Sequence, residues 1–204
     1  MKQPLRWIAL LVFAAALAPA PAAAETILDL TPDPPAPAAP PTPAPADPGF
    51  RGEYLRALAD LDEKLGALAE ATPAELYRWR PGEGVRSVGE VYAHVVATNV
   101  LLPRLWDAPA LEGVDAAALQ QAPPEKAQLV ALLDRSIAHV RDEFEKASPV
   151  DLERRVQAFG REATVRELFF TLANHMHEHL GQAIAYARMN DVVPPWSAGT
   201  AAEH

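Results

Sequence analysis

Between Phe50 and Met189 apolar residues recur at intervals of three and four, and no stretch of comparable length alternates with the period of two that a half-buried strand needs. That patterning restricts the chain to an all-α fold, with helices burying their stripes against one another. Four long amphipathic helices are expected. The first is predicted from Gly52 to about Ala69, with Tyr54, Leu55, Leu58, Leu61, Leu65 and Leu68 repeating at three and four. The second opens at Ser87-Val-Gly-Glu90, a reciprocal capping pair, and runs toward Leu102. Its inward face carries Val91, His94, Val95, Thr98, Leu101 and Leu102. The third is predicted from near Pro124 to about Lys146, burying Leu129, Leu132, Leu133, Ile137, Val140 and Phe144. The fourth starts at another capping pair, Thr164-Val-Arg-Glu167, and ends near Met189, where Asn190 and Pro194-Pro195 stop it.

The connections differ in kind. Thr72-Pro-Ala-Glu75 reads as a capping box for a short helix or turn that ends near Trp79. Residues 103–123 form a connector long enough to cross a bundle from end to end, with a helical turn or two at Asp115–Gln121. Residues 148–163, with Pro149 and Gly160, read as a connector with local extended structure.

Ahead of the helices the composition changes twice. Lys2 and Arg6 precede an apolar run from Trp7 to Ala18, and Ala22-Ala23-Ala24 supplies small residues before Glu25, so residues 1–24 read as a cleaved secretory signal. The run is shorter than the ~20 residues a membrane span needs, so no stable span is expected after cleavage. Residues 25–49 are rich in proline and alanine and read as an extended, solvated tether, because proline removes a backbone donor and breaks helices and sheets. The domain is then 50–195, with a tail over 196–204, and the protein is expected to be periplasmic or secreted. With no cysteine anywhere, disulfides, thiolate ligands and a cysteine nucleophile are excluded. The chain carries a net charge of −9, and loss of Lys2 and Arg6 with the signal takes it to −11, which argues against nucleic acid or an anionic membrane as the main partner.

The chemistry concentrates in His175-Met-His-Glu-His179-Leu-Gly181-Gln182. Residues four apart stack on one helix face, so His175 and His179 fall on the apolar stripe with Leu168, Leu172, Gln182 and Ala183. An imidazole buried without a partner costs a few kcal/mol. A divalent metal held by ring nitrogens explains two such residues in succession; hydrogen bonding to buried polar groups in a metal-free bundle is the alternative. His94, on the inward face of the second helix, favours the metal. His177 and His139 fall off the apolar faces and are read as surface residues, and His204 has no evident role. Thr98, Asn99, Glu178 and Gln182 border the histidines. Gly181 costs a helix about 1 kcal/mol relative to alanine, which a close neighbour, a ligand or small-residue packing would explain. Trp79, Trp106 and Trp196 line a pocket over the metal or serve as rim and core aromatics.

Two segments resemble the DinB/YfiT-type superfamily of metal-dependent four-helix bundles. One is Arg86-Ser-Val-Gly-Glu-Val-Tyr-Ala-His94; the other is His175-x-x-x-His179-Leu-Gly181-Gln182, followed by Tyr186-x-Arg188 and Pro194-Pro195. The resemblance spans roughly residues 50–195. It implies an up-down-down-up four-helix bundle with its long crossover between the second and third helices. It also implies one divalent metal, zinc or nickel, bound by His94, His175 and His179. Three imidazoles about 2.0–2.1 Å from the ion would leave a fourth position open, and zinc lowers the pKa of a bound water from ~15.7 to near 7. Better-understood relatives act through low-molecular-weight thiols. Hydrolysis is the chemistry that suits an exported protein, and a small-molecule substrate the matching partner. No general base stands out in the sequence. A non-enzymatic metal-binding or interaction module of the cell envelope, reached through the tether, is the competing function. Related bundles pair, so a homodimer is the assembly the resemblance suggests.

Overall fold

The computed structural model describes residues 49–197. The expected signal segment, the tether up to residue 48 and the tail beyond residue 197, with His204, lie outside the described residues. The elements run in the order α1 (Phe50–Ala71), α2 (Val88–Leu101), α3 (Ala116–Gln121), α4 (Lys126–Lys146), α5 (Pro149–Glu153), β1 (Arg155–Ala158), β2 (Arg161–Thr164) and α6 (Val165–Met189). Short 3-10 turns at Ala74–Arg78, Leu102–Trp106 and Pro195–Ser197 fill the gaps.

The long helices α1, α2, α4 and α6 form the bundle. Each of α1 and α2 packs against both α4 and α6, so the first two helices sit on opposite corners. Directions are set by which ends meet. Phe50, at the start of α1, contacts Phe144 near the end of α4 with ring centroids 5.9 Å apart, and Lys126, at the start of α4, donates to the Glu70 carbonyl at 2.6 Å. These two helices are therefore antiparallel. Tyr54 and Phe169, both early in their helices, meet at 5.7 Å, so α1 and α6 run together. His94 packs on His179, whereas Thr98, one turn further along α2, reaches back to His175, so α2 opposes α6. The result is the up-down-down-up bundle that the family resemblance implies, with the crossover between α2 and α4.

The predicted stripes supply the core. Leu58, Leu61, Leu65 and Leu68 of α1 are fully buried, as are Leu129, Leu133, Ile137, Val140 and Phe144 of α4. Each such side chain contributes about 1.5–3 kcal/mol on burial. The second helix is buried on nearly every side, as a helix apolar all round must be. Capping pairs open α2 at Ser87/Glu90 and α6 at Thr164/Glu167. A further pair, Ser148/Asp151, opens α5, a helix the sequence reading does not include. The extended structure expected in 148–163 is a two-stranded antiparallel hairpin, turned at Phe159 and Gly160, both with positive φ.

Four expectations need correction. Thr72 does not cap a helix; its hydroxyl donates to the Leu68 carbonyl at 2.7 Å, and the turn after it has no side-chain cap. Leu101 is half exposed at 51 %, and the buried surface of α2 is completed by Tyr92, Val96 and Asn99 on other faces, with Leu102 buried just beyond it. His139 is buried, not on the surface, and its Nε2 has no hydrogen-bond partner. It lies three residues after the buried Ser136, to which Asn99 of α2 donates, on the same side of α4. Gly181 is exposed, and a Cβ there would meet nothing within 4 Å, so neither a close approach nor small-residue packing accounts for it.

Candidate metal centre

The Ser87/Glu90 cap fixes where α2 begins, and from that start His94 is delivered two turns along to the surface facing α6. The Thr164/Glu167 cap sets the phase of α6 in the same way, placing His175 and His179 one turn apart on the facing side. The three rings form a triangle, with centroids 4.9 Å (94–175), 4.8 Å (94–179) and 4.5 Å (175–179) apart. One ligand nitrogen from each ring can be chosen such that all three lie within 4.8 Å of one another. The shortest separation is 3.0 Å, between the Nε2 atoms of His94 and His175. Two nitrogens on a tetrahedral zinc at about 2.0–2.1 Å stand roughly 3.3 Å apart, so His94 and His175 already lie close to the separation a shared ion imposes.

Hydrogen bonds orient the rings. Gln182 donates through Nε2 to the Tyr186 hydroxyl at 2.8 Å, which turns its Oε1 toward His179 Nδ1 at 2.9 Å. A carbonyl oxygen only accepts, so His179 carries its proton on Nδ1 and presents an unprotonated Nε2 to the cluster. This is the partner arrangement metal-ligating histidines ordinarily have. Tyr186 is in turn packed edge-on by Trp79, with centroids 5.4 Å apart. Thr98 Oγ1 lies 3.4 Å from His175 Nε2. Beneath the rings, fully buried Asn99 donates to Ser136 Oγ at 3.2 Å and toward Met176 Sδ at 3.6 Å, tying α2 to α4 and α6.

Electrostatics keep the rings neutral. Burial pushes the His175 pKa down to about 3, helped by the neighbouring His179 and His94 and by Arg86. Burial, then Arg86 and His179, push His94 down to about 4. Burial also lowers His179, against the opposing pull of Gln182. Neutral imidazoles are the form a metal requires. The donor set fits a divalent ion: three ring nitrogens, no carboxylate among them, on half-buried side chains.

The remaining sequence candidates separate cleanly. His177 is exposed, its Nδ1 beside the Ala173 carbonyl at 3.0 Å, and does not join the cluster. His139 lies on α4, outside it. Glu178 is exposed and touches the site only through its charge on His179. Trp106 is a core residue against Phe169, Trp196 is exposed, and Trp79 alone of the three stands by the residues that orient the histidines. Sequence reasoning missed Arg86, whose Nη2 lies 3.5 Å from His94 Nδ1. The available signal was a cation immediately before the helix cap, where the chain turns back along the first two turns.

Comparison with known proteins gives a consistent result. No curated protein matches the sequence. Among solved structures, a DinB-like protein from Bacillus cereus is similar with a TM-score of 0.61 at 16% identity, over 72% of this chain and 95% of that one. A DinB-like protein from Bacillus subtilis gives 0.54 at 22% identity, over 69% and 93%. YfiT from Bacillus subtilis, described as a probable metal-dependent hydrolase with an unusual four-helix bundle topology, gives 0.57 at 13% identity, over 76% and 95%. At these identities the likeness is one of fold. The sequence profile of the DinB superfamily matches residues 57–183, spanning most of the bundle and all three clustered histidines, and the chain belongs to that superfamily.

Proposed function

We propose that this protein is an exported metal-dependent enzyme that holds one divalent ion, zinc or nickel, on His94, His175 and His179 and acts on a small-molecule substrate, as a hydrolase or a group transferase. The observation that carries this reading is the convergence of three half-buried, neutral imidazoles from two helices. A closed, fully buried site would instead suit a structural or storage role. The description of YfiT as metal-dependent supports the same class.

A divalent ion held by His94, His175 and His179 would supply Lewis acidity. The chain's own residues do the rest. Gln182 and Tyr186 hold His179 in the ligand tautomer. Thr98 stands against the His175 ring from the α2 side. Asn99 ties α2 to α4 through Ser136 and reaches α6 through Met176, which braces the two ligand-bearing helices against each other.

Metal analysis of untagged protein tests the assignment. About one equivalent of metal in the parent and essentially none in His175→Ala is expected. Equal loading in both would overturn it. Export is tested by mass spectrometry of the envelope fraction: a mature chain beginning at Glu25 supports it, and a cytoplasmic product retaining Met1 to Ala24 refutes it. Among the described residues no helix is long and apolar enough to cross a membrane.

A further inference from the structure

Arg86 stands immediately before the cap of α2, with its guanidinium 3.5 Å from His94 Nδ1. Most arginines of the bundle surface answer a carboxylate: Arg78 meets Glu125, Arg80 meets Glu90, Arg141 meets Asp62 and Arg154 meets Asp107. Arg86 has no acidic partner among the described residues, and the polar group nearest its guanidinium is an imidazole. Its charge is nonetheless felt by all three clustered histidines.

The tautomer of His94 sharpens the contrast. When Nε2 of His94 serves as a ligand, its proton must sit on Nδ1. A ring N–H and a guanidinium that has only donors then face each other, with no acceptor between them. A metal-ligating histidine ordinarily hands its second ring proton to a carboxylate, carbonyl or water. His179 has Gln182 for this; His175 Nδ1 is buried with no partner, and His94 Nδ1, at an exposed contact, meets only the Arg86 guanidinium among the described residues. The charge points the same way: a divalent ion on neutral ligands, beside an unpaired arginine, has no anion of its own.

We infer that the substrate carries a carboxylate, which docks beside the metal rather than on it, one oxygen taking the guanidinium of Arg86 and the other the Nδ1–H of His94. Two donors 3.5 Å apart match the bite of a single planar carboxylate. A phosphate monoester, with more charge and three oxygens to satisfy, would find too few donors here. This inference rests on the metal reading above and names the substrate class for it.

The test uses the full chain loaded with cobalt(II), whose visible bands report on the coordination sphere. Failure to take up cobalt would defeat the metal reading itself, which separates that failure from a failure of carboxylate binding. With cobalt bound, propionate and succinate are titrated by calorimetry and by the visible spectrum, with propionamide and inorganic phosphate as comparators. Carboxylate binding is expected, with propionamide inert and phosphate weaker. Arg86→Gln is expected to weaken carboxylate binding about 10-fold to 100-fold, the scale of one charge-assisted hydrogen bond, while cobalt content stays unchanged. Arg86 is exposed, so the variant is expected to fold, and circular dichroism checks this. Cobalt-loaded protein that binds no carboxylate, binds it equally without Arg86, or prefers phosphate overturns the inference.

Discussion

Replacing Gln182 with leucine keeps the side-chain volume and removes both ends of the bridge between His179 and Tyr186. In the parent, the 2.9 Å contact to His179 Nδ1 and the 2.8 Å donation to Tyr186 fix the amide, and the amide fixes the ring. Without it, His179 can rotate and can carry its proton on either nitrogen, so part of the population offers the wrong atom. Losing such a partner weakens metal affinity by about 10- to 100-fold, or ~1.4–2.7 kcal/mol. Tyr186→Phe removes only the far end of the bridge, so a loss smaller than about tenfold is expected. The assay is competition for zinc against a chelator of known affinity at fixed pH, alongside thermal unfolding of the metal-free proteins. Unchanged unfolding with weakened zinc binding is the expected pattern. Gln182→Leu binding zinc within about twofold of the parent would show that His179 is not oriented in this way.

Gly181→Ala is expected to stabilise the protein by about 1 kcal/mol, because the new Cβ meets only solvent, and a denaturant melt reads this directly, with metal binding unchanged. Ser136→Ala leaves the fully buried Asn99 amide without its oxygen acceptor and is expected to cost about 1–3 kcal/mol in the same melt. The metal-free protein is expected to lose stability in acid. His94 and His175 ionise near the ordinary histidine value when unfolded but only near 4 and 3 when folded, so the unfolded chain binds more protons below about pH 6.5. Stability therefore falls as the pH drops from about 6.5 toward those folded values, and urea midpoints across that range check it. A flat profile would mean the rings are not shielded. Saturating zinc at neutral pH is expected to raise the unfolding temperature of the parent and leave that of His175→Ala unmoved.

The bundle is legible in the sequence because its signals are local. Periodicity names the buried leucines of α1 and α4, and capping pairs mark the starts of α2 and α6 to the residue. The pairing of His175 with His179 is likewise a property of one helix. What the sequence hides depends on neighbours. His139 looks peripheral on the wheel of α4 alone and is buried in the folded chain. Thr72 has the spacing of a cap, but its hydroxyl finds the Leu68 carbonyl first, as threonine does at the end of a helix. Gly181 reads as a contact point and faces solvent. Arg86 gains meaning only when α6 is laid beside α2.

Placing α1 and α2 on opposite corners means that the two helices bearing the cluster come from distant parts of the chain, with His94 and His175 separated by 81 positions. No partly synthesised or truncated chain ending before α6 can assemble the three nitrogens. An ion captured there would act as a clasp across the loop between α2 and α6, drawing together segments that local structure alone leaves apart. Occupancy would thus report that the last helix has docked.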